Sequence, residues 1–320
     1  MSKQIGVLRL GITILASAAF VAAWSSGFVV PALAADASPL TLLVWRFVPL
    51  AVVLIVIVLA TGAARGVPRV DMRRQALIGV FAQFGYCAAV YAAVAAGVAT
   101  GTTALIDAVQ PLVVAMLVGP LLGLRVRAAQ WAGLLLGAIG VLLVVRSQLG
   151  GSAAPPAAYL LPALAMACLI VGTFLQRRSS VHTGVLLTLT IHVTVTAAAL
   201  LMIAAFAGAL VPSASVSFWV AATFSAAFPT LAAYGLYWWL LRRVGITALN
   251  ALLFLVAPAT AAAGALLLGE QLTAVTLAGF VLCGAGVGVV LVSESRASRP
   301  GDAPVLRQPT ASDEPATSRS

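Results

Sequence analysis

Polar side chains are so scarce in the apolar stretches of this 320-residue chain that each is a candidate for chemistry. Arg46 and Asp107 both stand inside such stretches, where an ionised group costs about 2.5–3.5 kcal/mol on insertion scales and so faces the protein interior. A buried arginine can hold a carboxylate or another anionic group, and a buried aspartate can take up a proton or an ammonium. The two can equally neutralise one another as a structural pair, or Arg46 can snorkel to a membrane surface. His192 lies mid-way along another apolar stretch and titrates near neutral pH. That suits a coupling group, although a hydrogen-bonded packing histidine is the plainer reading. Glu270 closes a further stretch, where a solvated helix end is the simple account and coupling the alternative.

Other residues fit solute contact. Gln110 adjoins Pro111, and Asn250 stands eight residues before Pro258; either amide can hydrogen-bond a polar solute or join two helices. Pro111 and Pro258 each remove one helix hydrogen bond, so each is a candidate kink. Membrane helices tolerate the freed carbonyl where neighbours or a cavity satisfy it. The amphipathic rings of Trp24, Tyr86, Tyr91, Tyr234 and Trp238 suit amino acids, aromatic metabolites or organic cations as solutes. Trp238 and Trp239 lie close to Arg242, so an interfacial aromatic belt is their default.

Other chemistries find no footing. No glycine-rich phosphate loop precedes a lysine, no His/Cys/Asp/Glu cluster has metal spacing, and no nucleophile has a visible base. No cofactor, metal or catalytic residue is expected. Cys87, Cys168 and Cys283 are isolated and read as small packing residues.

The elements that hold these residues follow from composition. The chain is 62% hydrophobic and 8% charged, with mean hydropathy +1.11; a soluble domain carries about 25% charged residues. The apolar blocks run to about 20 residues, the length that crosses a bilayer as helix, and lack the alternation of a barrel wall. We therefore expect an all-α membrane protein of ten transmembrane helices: 10–30, 40–60, 75–96, 102–122, 130–145, 158–176, 183–205, 218–241, 247–268 and 273–292. The start resembles a signal peptide, with Ala32-Leu33-Ala34 as a cleavage site, but its apolar run exceeds the usual 7–15 residues. An uncleaved first span is expected. Residues 296–320 are expected to be a disordered cytoplasmic tail.

Charge fixes orientation. Sixteen of the 18 Lys and Arg fall on one side of this ten-span arrangement, leaving Arg46 inside a span and Arg146 opposite. The positive-inside rule makes that side cytoplasmic, with both termini there. The net charge of +10 is thus a topology signal, and nucleic acid is not an expected partner.

The chain also repeats itself. Leu121-Leu122-Gly123 recurs 146 residues later as Leu267-Leu268-Gly269, Ala132-Gly133 as Ala278-Gly279, and Gly140-Val141 as Gly286-Val287. Five spans separate the equivalents, so the halves, 1–150 and 155–295, are expected to be inverted five-helix repeats. A solute site then lies near the midplane between them. The glycines of spans five and ten have the spacing of close helix packing, within one protomer or between two. Monomer and homodimer both stay open.

Trp24-Ser25-Ser26-Gly27-Phe28-Val29, Leu42-Leu43-Val44-Trp45-Arg46-Phe47, and the stretches 104–145 and 248–291 resemble the drug/metabolite transporter superfamily, EamA type. Members often carry Gly-Glu where span four ends; this chain has Gly123-Leu124, so only Glu270 keeps that glutamate. The resemblance implies a multi-pass inner (plasma) membrane secondary transporter, an exporter of a small metabolite such as an amino acid, coupled to protons. The residues themselves support a small, partly apolar solute with one anionic group, moved by alternating access. An uptake carrier or exchanger is the alternative; a membrane-embedded enzyme and a structural membrane subunit are rivals from other classes. Tags at Ser320 and in the 65–74 connector should report from the cytoplasm and a tag at Gly151 from outside. A cytoplasmic Gly151 would refute the ten-span arrangement.

Overall fold

The computed structural model describes residues 2–33, 38–98, 109–146, 154–179, 183–268 and 273–297, and every described element is helical. In chain order these are α1 (Ser2–Leu33), α2 (Pro39–Thr61), α3 (Arg69–Ala95), α4 (Gln110–Leu122), α5 (Ala128–Arg146), α6 (Leu160–Arg178), α7 (Val185–Ala207), α8 (Val216–Arg243), α9 (246–268) and α10 (Ala274–Ala297). Seven are long and apolar enough to cross a membrane; the shorter apolar helices Gln110–Leu122, Ala128–Leu143 and Ile246–Thr260 occupy the places expected for spans four, five and nine. Asp107, Glu270 and the tail from residue 298 lie outside the described residues.

Local chemistry sets the helix ends. Ser38 Oγ accepts from Thr41 N at 3.1 Å to start α2, and Ser215 Oγ accepts from Phe218 N at 3.3 Å to start α8, each satisfying a donor that the first turn leaves open. Gly62 and Gly208, 146 residues apart, close α2 and α7 at φ 67°, a conformation that costs glycine little. The basic stretch expected as a connector is helical from Arg69, with Asp71 in the first turn, where a carboxylate complements the helix dipole. The true connector is residues 62–68. The last helix likewise runs to Ala297, five residues past the expected end of its span.

The repeat is present in the backbone. Val80–Gly85 of α3 and Ala226–Ala232 of α8 are π-helical, and their starts lie 146 residues apart. The same offset relates the starts of α2 and α7, of Gln110–Leu122 and Val256–Leu268, and of α5 and α10. Moreover, α5 packs most extensively on α10, and α2 on α7; each helix lies against its own equivalent.

Glycine makes the α5–α10 contact possible. A Cβ on Gly286 would fall 2.5 Å from Gly133 O, and one on Gly140 would fall 2.7 Å from Gly279 O. The contact descends α10 as it climbs α5, so the two run antiparallel. Cys283 Sγ lies 3.7 Å from Gly137 O, its equivalent 146 residues earlier. The expected small-residue packing is therefore found within one chain. Gly284 has nothing within 4 Å of its Cβ position. Gly286→Leu should lower stability by about 1–3 kcal/mol, read as a fall in thermal midpoint in detergent, while Gly284→Ala should leave the midpoint unchanged.

Candidate functional site

Arg46 lies seven residues into α2 and is 3% exposed. The proline in α8 determines what it meets. Pro229 has no N–H, so the carbonyl of Ser225, four residues earlier, loses its α-helical donor. The hydroxyl of Thr230 takes that carbonyl instead, at 2.8 Å, and the helix widens into its π segment. Having donated to Ser225, Thr230 Oγ1 accepts from Arg46 Nε at 2.6 Å. On the other side, Tyr91 Oη of α3 accepts from Arg46 Nη1 at 3.1 Å. The guanidinium also sits 4.9 Å from the ring centre of Phe47. Each of these partners is neutral, so among the described residues the charge is solvated but not neutralised.

An aromatic cluster adjoins this cation. The ring centres of Tyr234, Tyr237 and Tyr86 lie 5.1, 5.5 and 5.8 Å from that of Trp24, and Phe20 lies 5.3 Å away. Cys87 Sγ and Tyr234 Oη are 3.6 Å apart, and Thr173 Oγ1 and Tyr237 Oη 2.6 Å. Trp24, Gly27, Arg46, Tyr86, Tyr91, Pro229, Cys87 and Tyr234 line a cavity of about 30 Å³. That is room for about two waters and too little for a metabolite.

A larger cavity of about 1000 Å³ runs between α1, α9 and α10, with Arg177, Arg242 and Arg243 at one end and Leu10, Ile14, Leu252 and Ala259 along it. None of the candidate site residues lines it. Its walls are mainly aliphatic, with the hydroxyls of Thr13 and Ser17 among them, and it follows a different flank of α1 from Trp24. The candidate residues thus line the small central cavity and not the large groove.

The structure thus brings Trp24, Arg46, Tyr86, Tyr91 and Tyr234 together. Gln110 and Asn250 instead meet each other, Gln110 Nε2 donating to Asn250 Oδ1 at 3.0 Å, so these amides join α4 to α9. Trp238 is 1% exposed, away from any interfacial belt, because α8 turns it onto His192 with ring centres 5.3 Å apart. Trp239 does lie near the basic helix end, 6.0 Å from the Arg243 guanidinium. Pro111 falls in the first turn of the described α4, a position where a missing N–H breaks no bond. Pro258 is buried inside α9, just after a 3-10 turn at Leu253–Leu255. The partner envisaged for Arg46, Asp107, is outside the described residues. Thr230, Cys87 and Gly27 were not anticipated; the Pro229-Thr230 pair inside an apolar span was the available signal for the first.

These elements make a multi-pass helical membrane protein of two like repeats around a small, arginine-bearing cavity. The pattern of the EamA-like transporter family matches residues 10–146 and again 156–292, and the chain belongs to that family. It is thereby a membrane transporter of the drug/metabolite type. No curated protein matches it in sequence. One solved crystal structure superposes with a TM-score of 0.74 at 19% identity, over 90% of this chain and 99% of that one; at this identity the likeness is one of fold.

Losing a hydrogen bond to a buried charge costs about 1.5–3 kcal/mol. Thr230→Val should therefore lower stability by that amount in thermal or denaturant unfolding. In a double-mutant cycle with Arg46→Met the two losses should fall short of additive. Full additivity would mean that the pair does not interact.

Proposed function

We propose that the protein carries a small metabolite bearing a carboxylate and a partly apolar or aromatic body, such as an amino acid, by alternating access. The observation that carries this reading is the buried guanidinium of Arg46, held by neutral hydroxyls beside the ring cluster of Trp24, Tyr86 and Tyr234. A buried cation with neutral partners favours an anion that brings its own charge. The rings supply apolar contact, and their hydroxyls supply orientation. One cation also limits the charge of the solute, since a polyanion would need several.

Mechanistically, two inverted halves can rock about a site between them. The antiparallel contact of α5 with α10 supports such inversion, as does that of α2 with α7. In the latter, Thr41 Oγ1 donates to Ala209 O at 3.0 Å and Trp45 Nε1 to Leu210 O at 3.0 Å. Export from the cytoplasm across an inner membrane, with both termini cytoplasmic, and proton coupling through Asp107 complete the proposal. They rest on the arginine distribution and the family.

Flux into proteoliposomes under an imposed pH gradient tests it. A panel of amino acids and related carboxylates should include a saturable solute. Arg46→Gln should weaken its apparent affinity about 10–100-fold, the equivalent of one charge-assisted hydrogen bond. Asp107→Asn should abolish the response to the gradient. Failure of every carboxylate tried to move would overturn the proposal.

A further inference from the structure

The repeat assigns Arg46 an equivalent. Counting 146 residues from Arg46 gives His192, and the helices that carry them, Pro39–Thr61 and Val185–Ala207, have bounds shifted by that same offset. Each residue therefore stands seven residues, about 10 Å, from the start of its helix. Because α2 and α7 run antiparallel, the two positions approach opposite faces of the molecule.

Each also bonds across to the other half, though not to equivalent partners. Arg46 reaches across to α8 of the second half, at Thr230. His192 reaches across to α3 of the first half, where its Nε2 and Gln75 Oε1 are 3.2 Å apart. Trp238 of α8 packs its ring edge-on to His192 at 81°. Gln75 and His192 are fully buried, yet Gln75 Nε2, His192 Nδ1 and Trp238 Nε1 have no hydrogen-bond partner. One cross-repeat bond thus closes this layer, and two orphan donors oppose the closure. Buried unpaired donors favour any arrangement that admits water or a solute oxygen.

Building on the alternating-access reading, we infer that Gln75, His192 and Trp238 form the gate toward the arginine-rich face. Toward the other face the cavity is closed by Arg46, Thr230 and Tyr91; of these, only Arg46 has its 146-residue equivalent, His192, in the first group. Opening that inner face parts Gln75 from His192 and hands the donors of Gln75 and Trp238 to the entering solute or water. Gly79 sets how tightly the gate shuts, since a Cβ there would fall 2.9 Å from His192 Cα. The same residue is helical, with φ −61°, so alanine suits its backbone.

Cys87 lines the central cavity and serves as the reporter once Cys168 and Cys283 are replaced by alanine. The full-length protein is placed in vesicles of known orientation, and a membrane-impermeant maleimide is applied to one face at a time. Loss of the single closing bond in His192→Ala should raise Cys87 labelling from the arginine-rich face about fivefold, with no rise from the opposite face. Gly79→Ala should act in the same direction by wedging the layer apart, and Thr230→Val should give the mirror pattern. His192→Gln, which can still bond Gln75, should label like the parent and shows that the fold tolerates the site. Equal rises from both faces, or no rise in either His192→Ala or Gly79→Ala, overturn the gate. Face-selective labelling without flux of any solute would uphold the gate while refuting the transport proposal; flux without face-selective labelling would refute the gate alone.

Discussion

A guanidinium stays ionised inside a bilayer only if the protein replaces its water, and much of the central architecture serves that need. Three helices from both repeats converge on Arg46. From α2 comes the cation, from α3 the hydroxyl of Tyr91, and from α8 the hydroxyl of Thr230. The last contact exists because Pro229 deprives a carbonyl of its partner and the next residue satisfies it. A backbone defect thus becomes a side-chain receptor. Satisfying the arginine with dipoles leaves its charge available, which a structural ion pair would not.

The repeat organises everything around that point. Helices α2 and α5 pack on their equivalents α7 and α10, and a close backbone approach at Gly133 and Gly286 joins the two halves. This packing holds the molecule together without any water-driven hydrophobic force between helices, which the bilayer does not supply. Symmetric scaffolding then carries asymmetric chemistry. The position that holds a permanent cation in one half holds a histidine in the other.

Much of this was legible in the chain itself. Helical membrane architecture and the locations of the apolar segments follow from apolar block length. The cost of burying polar groups marked Arg46, and depth marked Trp24, Tyr86, Tyr91 and Tyr234, each as a separate candidate. Their gathering did not follow from either. Helix ends proved harder, because Arg69 and Ser293 sit in helices that run beyond the apolar blocks, and hydropathy ends where the block does. The fate of Trp238 and of Gln110 with Asn250 could not be read from depth alone. Depth says how far a residue lies from a face, whereas rotation about the helix axis decides whether it meets lipid, cavity or neighbour. Thr230 escaped notice because a lone threonine in an apolar helix usually bonds its own backbone. Here a proline one position earlier changes which carbonyl it reaches.

The two π segments, Val80–Gly85 and Ala226–Ala232, have a dynamic consequence. Each stores residues at a wider pitch inside an otherwise α-helical rod. Shifting such a widened turn along the rod exchanges a few backbone bonds for others of the same kind, yet it swivels every side chain passed by part of a revolution. Tyr86 and Tyr91 ride just beyond the first segment, and Tyr234 just beyond the second. Tyr86, Tyr91 and Tyr234 thus ride on two matched wide turns, and a shift of either turn would re-aim them while the helix that carries them stays whole, with Trp24 on α1 left in place.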